Sequence, residues 1–141
     1  MIEKNGFKIL IVDDNALFRE ALKRIIREHF PEISFLETTK IARARQLIAA
    51  RKPRLIMLGL DGSNGFDLAR EIRANQCACT LVVITGDDLP EYEAAAYNNG
   101  ADYFISKLGR SRGQIIVAIA DALAQHARTW HSEQAAGNNQ K

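Results

Sequence analysis

The sequence predicts an α/β fold, with five parallel strands in one sheet and helices covering both of its faces. Short apolar runs alternate five times with segments in which apolar residues recur at helical spacing. Few polar residues interrupt these runs, which is typical of strands buried on both faces. The length of 141 residues fits one domain with one core. We expect a lead-in over residues 1–6, a folded domain over 7–131 and a polar tail over 132–141.

The five predicted strands are apolar, partly β-branched runs that end at turn-forming residues. They cover residues 7–12, 33–37, 55–60, 81–85 and 103–106. The third run stops abruptly, with Gly59 near its end and Asp61 just beyond. Since ligands of open parallel sheets bind beyond the carboxyl ends of the strands, we look for a site there.

The five predicted helices follow the strands and cover residues 16–29, 41–51, 66–75, 90–98 and 114–131. In the first helix, Phe18, Leu22 and Ile26 share one face, and Asp14 or Asn15 can cap its start. Its basic residues are expected on the solvent side: Arg19, Lys23, Arg24 and Arg27. The next two helices are expected to pack through apolar stripes, at Ile41, Ala44, Leu47 and Ile48, and at Leu68, Ala69 and Ile72.

The remaining helices have clear boundary signals. Pro90 suits the first turn of the fourth helix, and Gly100 follows its end. A turn over residues 62–65 is expected before the third helix. The fifth helix is more apolar than one core-facing stripe requires. Such an excess is typical of an interface and favours a homodimer. A helix that is simply well buried would show the same apolar pattern.

Composition disfavours several functions. A net charge of +2 disfavours an electrostatic nucleic-acid binder, and the scattered arginines read as solvated faces. No apolar run approaches the ~18 residues of a membrane span, and the N-terminus has no signal-peptide core. We therefore expect a cytoplasmic protein with no membrane partner. Cys77 and Cys79 are interpreted as structural thiols, because a metal site would need further ligands.

The strand ends carry a chemically coherent set of side chains. The first strand leads to Asp13 and Asp14, the fourth ends at Thr85 and the fifth leads to Lys107. Carboxylates on a loop can hold Mg²⁺, and a hydroxyl and an ammonium group suit a phosphoryl group. Taken singly, each residue could also be a solvated loop or surface residue. Their placement at one edge of the predicted sheet favours a common site.

These motifs resemble the receiver domain of two-component response regulators. The resemblance rests on ILIVDDN at 9–15, LVVITG at 81–86 and GADYFISK at 100–107. It implies a CheY-like, flavodoxin-like fold with strand order 2-1-3-4-5. It also implies that the paired acids bind Mg²⁺, that an aspartate ending the third strand accepts phosphate from a histidine kinase, and that the threonine and lysine contact the phosphoryl group.

The chain departs from this family pattern at several positions. Gly59 stands where the family has its phosphoacceptor aspartate, and glycine has no nucleophilic oxygen. The loop that follows is shorter than usual. Leu108 replaces a proline that the family holds in a cis peptide bond. Phe104 occupies the family's aromatic switch position without a hydroxyl group.

Asp61 is the residue that could refill this site. It lies two residues after Gly59, and two residues of strand span about 6.5 Å, which places its carboxylate beyond the usual position. Three interpretations stay open. Asp61 could be phosphorylated, it could supply a carboxylate that neutralises Lys107 or helps Asp13 and Asp14 hold Mg²⁺, or it could be a solvated turn acid.

The resulting hypothesis is an atypical receiver, not an enzyme, that acts through protein–protein contacts without aspartate phosphorylation at Gly59. Mg²⁺ binding would be weak or lost. The expected partner is a histidine kinase or an output protein, and the family commonly binds partners through the fourth helix, fifth strand and fifth helix. In this chain that surface would include Tyr92, Tyr97 and Tyr103. The alternatives are a receiver phosphorylated on Asp61 with Mg²⁺ and, less favoured, a nucleic-acid-binding module.

Overall fold

The computed structural model describes residues 6–59, 63–75, 78–86, 90–107 and 111–139, without the side chains of 63, 64, 111 and 128–139. Five parallel strands form one sheet in the order β2-β1-β3-β4-β5. The strands are β1 (Lys8–Val12), β2 (Ser34–Thr38), β3 (Leu55–Gly59), β4 (Thr80–Thr85) and β5 (Tyr103–Ser106). The predicted doubly wound α/β fold and its strand order are confirmed. The proposed domain limits stay a prediction.

Helices cover both faces of the sheet and divide the core in two. They are α1 (Ala16–His29), α2 (Ile41–Arg51), α3 (Ser63–Ala74), α4 (Pro90–Asn98) and α5 (Ser111–Asn139). One cluster of buried residues joins α1 and α5 to the sheet, with Leu22 and Ile119 among its members. The other joins α2, α3 and α4, with Leu47, Leu68 and Ala96 among its members. Within the described residues, no helix is long and apolar enough to cross a membrane.

The register of the sheet aligns the carboxyl ends of its central strands. Val12 lies opposite Leu58, and Gly59 lies opposite Ile84. Thr85 in turn lies opposite Ser106. Because all strands are parallel, the residues that follow β1, β3, β4 and β5 meet at one edge.

Two helices differ from their predicted bounds. The third helix begins at Ser63 rather than at residue 66, so much of the expected 62–65 turn is the first helical turn. The fifth helix begins at Ser111, includes Gly113, and continues past its expected end at His131 to Asn139. Small polar residues and glycine suggested loops at both places, but they are tolerated near helix ends and beside good helix formers such as alanine and glutamine.

Lys23 also differs from its predicted place on the solvent side of α1. It is 8% exposed, and its Nζ lies 2.6 Å from Glu37 Oε2 on β2 and 2.7 Å from Glu20 Oε2. The helical pattern could not show that a carboxylate on β2 draws this lysine inward. Cys79 is a buried cysteine just before β4, as expected for a structural thiol, whereas Cys77 lies outside the described residues.

Candidate functional site

The predicted site residues converge where β1, β3, β4 and β5 end. Asp13 and Thr85 are each 3% exposed, and Asp14 is exposed. Lys107 follows β5, and its backbone N–H donates to the carbonyl oxygen of Thr85 at 2.7 Å. The structure therefore brings Asp13, Gly59, Thr85 and Lys107 together. Asp61 and Leu108, which were also singled out, lie outside the described residues.

The Asp13 carboxylate points into the site and is held at both oxygens. Oδ1 accepts a hydrogen bond from the backbone N–H of Asn15 at 2.8 Å. Oδ2 lies 2.9 Å from Lys107 Nζ. The second contact is an ion pair rather than an aligned hydrogen bond, since Oδ2 has no partner at hydrogen-bonding angles in the described part of the chain. Asp13 therefore forms an ion pair with Lys107 inside the site.

This carboxylate fills the space beside Gly59. A Cβ atom built on Gly59 would lie 1.8 Å from Asp13 Oδ2 and 2.6 Å from its Cγ. These distances are far below van der Waals contact, so residue 59 could carry a side chain only if Asp13 moved away. The inward position of Asp13 thus depends on glycine at 59, which the sequence pattern did not reveal.

Lys107 connects Asp13 to the first helix. Its Nζ lies 4.4 Å from the ring centroid of Phe18, a cation–π contact. Phe18 itself packs partly against the core, as its helical position predicted. The contact between Phe18 and Lys107 was not predicted. The spacing of apolar residues along α1 carries no signal that an ammonium group from the end of β5 will approach the ring.

The turn between β1 and α1 is fixed by further polar contacts. Asn15 caps α1 by accepting a hydrogen bond from the Phe18 N–H at 3.0 Å. Arg19 donates from Nη1 to the carbonyl oxygen of Asp13 at 2.6 Å, and from Nε to Glu37 at 3.0 Å. The bond from Arg19 holds the backbone of Asp13, and the Asn15 cap holds the start of α1. Together they fix the turn from which the Asp13 side chain extends.

The described residues do not present a good Mg²⁺ site. Mg²⁺ needs several oxygen ligands in near-octahedral geometry. Asp13 is engaged by Lys107 and the Asn15 N–H, which leaves Asp14 as the exposed carboxylate of the pair. Within the parts of the chain that the structure describes, no three Asp, Glu, His or Cys side chains group together. Asp13 would have to turn away from Lys107 to join Asp14 at a metal ion.

The predicted switch and interaction residues have different surroundings. Phe104 is partly buried against the cluster beneath α2, α3 and α4. Tyr97 is 46% exposed on α4, whereas Tyr92 stacks on Phe66 of α3 with ring centroids 6.4 Å apart. Tyr103 donates a hydrogen bond to Asp121 of α5. That bond and partial burial raise the pKa of Tyr103 to about 12, so its phenol remains a donor that ties β5 to α5.

The sequence was compared with known proteins and protein families. Residues 9–120 match the response regulator receiver domain family. The sensory transduction protein LytT of Enterococcus faecalis is 34% identical over 100 residues, which cover 69% of this chain and 40% of LytT. The glycerol metabolism activator of Pseudomonas putida is 29% identical over 120 residues, which cover 83% of this chain and 54% of that protein. The chain thus spans about half the length of these relatives or less.

The fold has close counterparts among solved structures. The signal receiver domain of a DNA-binding response regulator from Colwellia psychrerythraea superposes with a TM-score of 0.75 at 21% identity. The match covers 84% of this chain and 98% of that structure. This structure shows the likeness in fold, and the match over residues 9–120 shows the family. The chain belongs to the response regulator receiver domain family of two-component signalling proteins.

Proposed function

We propose that this receiver domain signals through protein–protein contacts and does not accept a phosphoryl group at the end of β3. The observation that carries the proposal is the Asp13 carboxylate, whose Oδ2 would lie 1.8 Å from a Cβ at Gly59. In receivers that are phosphorylated, an aspartate at this strand end supplies the attacking oxygen. Here glycine supplies none, and a neighbouring carboxylate occupies the space.

Asp13 is a poor substitute nucleophile for geometric reasons. In-line attack requires a phosphodonor to approach the attacking oxygen directly. The Asp13 side chain is almost completely buried, and its Oδ2 faces Lys107 at 2.9 Å. Lys107 would contact the phosphoryl group in the family pattern, but in this chain it neutralises Asp13. The pair therefore holds the site in one arrangement, with Phe18 packed against the lysine.

Mg²⁺ binding is proposed to be weak for the same reason. The carboxylate that would enter the metal's coordination sphere with Asp14 is engaged internally. Metal binding would have to break the Asp13–Lys107 pair before it gained a ligand. That cost lowers the affinity relative to a site whose carboxylates already face outward.

The proposed contact surface is formed by α4, β5 and α5, and the partner is a histidine kinase or an output protein. Tyr97 and Val117 are among the exposed large apolar side chains of the described residues, at 46% and 56% exposure. Tyr103 lies between them on β5 and is fixed through Asp121. Exposed aromatic and aliphatic groups beside an ordered polar contact are features of protein interfaces. A homodimer through this surface is part of the proposal.

The phosphorylation claim predicts no stoichiometric adduct when the protein is incubated with Mg²⁺ and acetyl phosphate. Intact-mass measurement reads out the adduct directly, and titration with beryllofluoride watched by backbone amide shifts tests the same site without covalent chemistry. We expect an unchanged mass and no saturable shifts at residues 13, 59, 85 and 107, because Gly59 supplies no attacking oxygen and the Asp13 carboxylate is engaged by Lys107.

A receiver with an aspartate at the end of its third strand, treated in parallel, establishes that the reagents are active. An adduct on this chain that disappears in Asp61→Ala would show phosphorylation at the alternative carboxylate and would contradict the proposal. An adduct that survives in Asp61→Ala and disappears in Asp13→Ala would contradict it equally, since it would require Asp13 to turn outward.

A further inference from the structure

A groove of about 680 Å³ lies at the edge of the sheet where β3 and β4 begin, opposite to the edge that carries Asp13. This volume falls within the roughly 300–1,000 Å³ of small-molecule sites. The carboxyl-terminal parts of α2 and α3 form its walls. The lining residues are Arg45, Ile48, Ala49, Lys52, Pro53, Arg54, Leu68, Glu71, Ile72, Asn75, Ala78 and Cys79.

The floor of the groove is apolar and rigid. Leu68, Ile72 and Cys79 are buried members of the core beneath α2 and α3, and Ile48 packs against the same cluster. Pro53 is buried at the entry to β3. Side chains that already belong to a close-packed core keep their positions, so the floor offers a preformed apolar surface.

The mouth of the groove is positively charged. Glu71 is the acidic residue of the lining, and Arg45 binds it through two hydrogen bonds of 2.7 and 2.8 Å. Those bonds lower the pKa of Glu71, so it stays ionised and paired. Lys52 and Arg54 have no side-chain hydrogen bond or ion pair among the described residues. The charge of the lining that is not already paired is therefore cationic.

Hydrogen bonds hold the backbone of both cationic residues. Lys52 ends α2 in a left-handed conformation with φ of 50°, and its N–H donates to the Ile48 carbonyl at 3.1 Å. The Arg54 N–H donates to Lys8 at 3.0 Å, and its carbonyl accepts from Thr80 at 2.9 Å. Arg54 is thereby anchored between β1 and β4, and its side chain starts from a fixed point.

We propose that this groove binds a small amphipathic carboxylate, whose apolar part covers the floor while its carboxylate meets Lys52 and Arg54. A neutral apolar molecule would leave both cations unpaired, and a small polar anion would leave the floor uncovered. The volume suits a small molecule rather than a protein partner. This site goes beyond the proposed signalling function and does not depend on it.

The test is a titration of the full chain with decanoate, followed by backbone amide shifts. We expect saturable shifts confined to residues 45–54, 68–75 and 78–79. Decanamide, with the same chain and no charge, and acetate, with the charge and no chain, should each bind at least about tenfold more weakly. The double variant Lys52→Gln/Arg54→Gln should lose about tenfold in decanoate affinity. Arg51→Gln removes an exposed cation outside the lining and should bind normally.

A second variant tests the apolar half separately. Ala49→Trp places an indole in the groove at an exposed position and should abolish the decanoate shifts while both cations remain. The proposal is overturned if decanoate gives no saturable shifts, if decanamide binds as tightly, or if the double variant binds like the unaltered protein. Circular dichroism of each variant establishes that its fold is intact.

Discussion

At the scale of single residues, the site depends on the ion pair between the buried Asp13 carboxylate and the Lys107 ammonium group. Removing a carboxylate from water is costly, and Asp13 recovers that cost through the Asn15 N–H and the Lys107 ammonium. The ammonium in turn gains a contact with the Phe18 ring. Taking away one partner would leave the other charge buried and unpaired, which costs more than removing both.

Lys107→Ala is therefore expected to lower the free energy of unfolding by about 1–3 kcal/mol, a range reduced for the partial exposure of the lysine. The double variant Asp13→Ala/Lys107→Ala should be less destabilised than the sum of the two single changes, by about 1 kcal/mol or more. Urea denaturation of the four proteins measures this coupling energy.

Lys40→Ala is the matched control, since Lys40 is exposed and its ammonium has no ion pair among the described residues. It should change the free energy of unfolding by less than about 0.5 kcal/mol. Additive effects of Asp13→Ala and Lys107→Ala would contradict the interpretation that the pair is what holds the site closed.

The sequence was sufficient to bring Asp13, Thr85 and Lys107 to one edge, because strand ends in a parallel sheet converge. It was insufficient to tell which way Asp13 points. That direction depends on the missing side chain at Gly59, which is distant along the chain and adjacent in space. Orientation of this kind is set by tertiary packing, so no local pattern encodes it. The role of Asp61 stays a prediction, because it lies outside the described residues.

At the scale of elements, α1 is clamped to β2 by a charged cluster. Glu37 of β2 forms ion pairs with two residues of α1. Lys23 Nζ lies 2.6 Å from its Oε2, and Arg19 Nε lies 3.0 Å from its Oε1. Burial alone would raise the pKa of Glu37, but the hydrogen bonds from Lys23 and Arg19 outweigh it and lower the pKa. Hydrogen bonds to Glu20 and Glu37 raise the pKa of Lys23. Glu37 and Lys23 are therefore both ionised across the neutral range.

Glu37→Gln is expected to lower the free energy of unfolding by about 1 kcal/mol at neutral pH. Because the folded-state pKa of Glu37 lies below its ordinary value of 4.5, its contribution is present above that value. It is lost as the pH falls through the folded-state pKa. Urea denaturation at a series of pH values should show the difference between variant and unaltered protein shrinking below about pH 4.

Glu93→Gln provides the comparison, because Glu93 is exposed on α4 and has no ion pair within the described residues. Its effect on the free energy of unfolding at neutral pH should be smaller. If the loss of unfolding free energy in Glu37→Gln stayed constant down to about pH 3, the charge of Glu37 would not be what stabilises the contact between α1 and β2.

Element boundaries were predicted well where the chain has explicit signals. The α1, α2 and α4 bounds match the structure, since Asn15, Pro53 and Pro90 mark starts and stops chemically. The starts of α3 and α5 were placed three residues late, because serine, asparagine and glycine resemble loop formers. In both cases the first helical turn tolerates such residues, whose low helix preference costs little at a helix end.

At the scale of the whole molecule, one arginine joins α3 to the segments that precede β4 and β5. Arg73 of α3 donates to the Gly100 carbonyl at 2.8 Å, to the Cys79 carbonyl at 2.9 Å and to Asp102. Asp102 also accepts the Leu81 N–H at 2.8 Å. Gly100 has a φ of +101°, and a Cβ there would lie 2.3 Å from Arg73 Cγ. This network joins α3 to the segments that lead into β4 and β5, and β5 belongs to the proposed contact surface.

Two copies of the chain are expected to associate through the surface formed by α4, β5 and α5. We expect the average mass to rise with protein concentration in sedimentation experiments. Val117→Asp should weaken association at least about tenfold, which corresponds to about 1.4 kcal/mol, because it would bury a charge in the interface. Leu17→Asp is the matched control, since Leu17 is the more exposed residue, at 83% against 56%, and lies on α1. A dimer through α5 would be excluded if the protein stayed monomeric at every concentration, or if both variants changed association equally. The proposed contact surface would then bind a different protein.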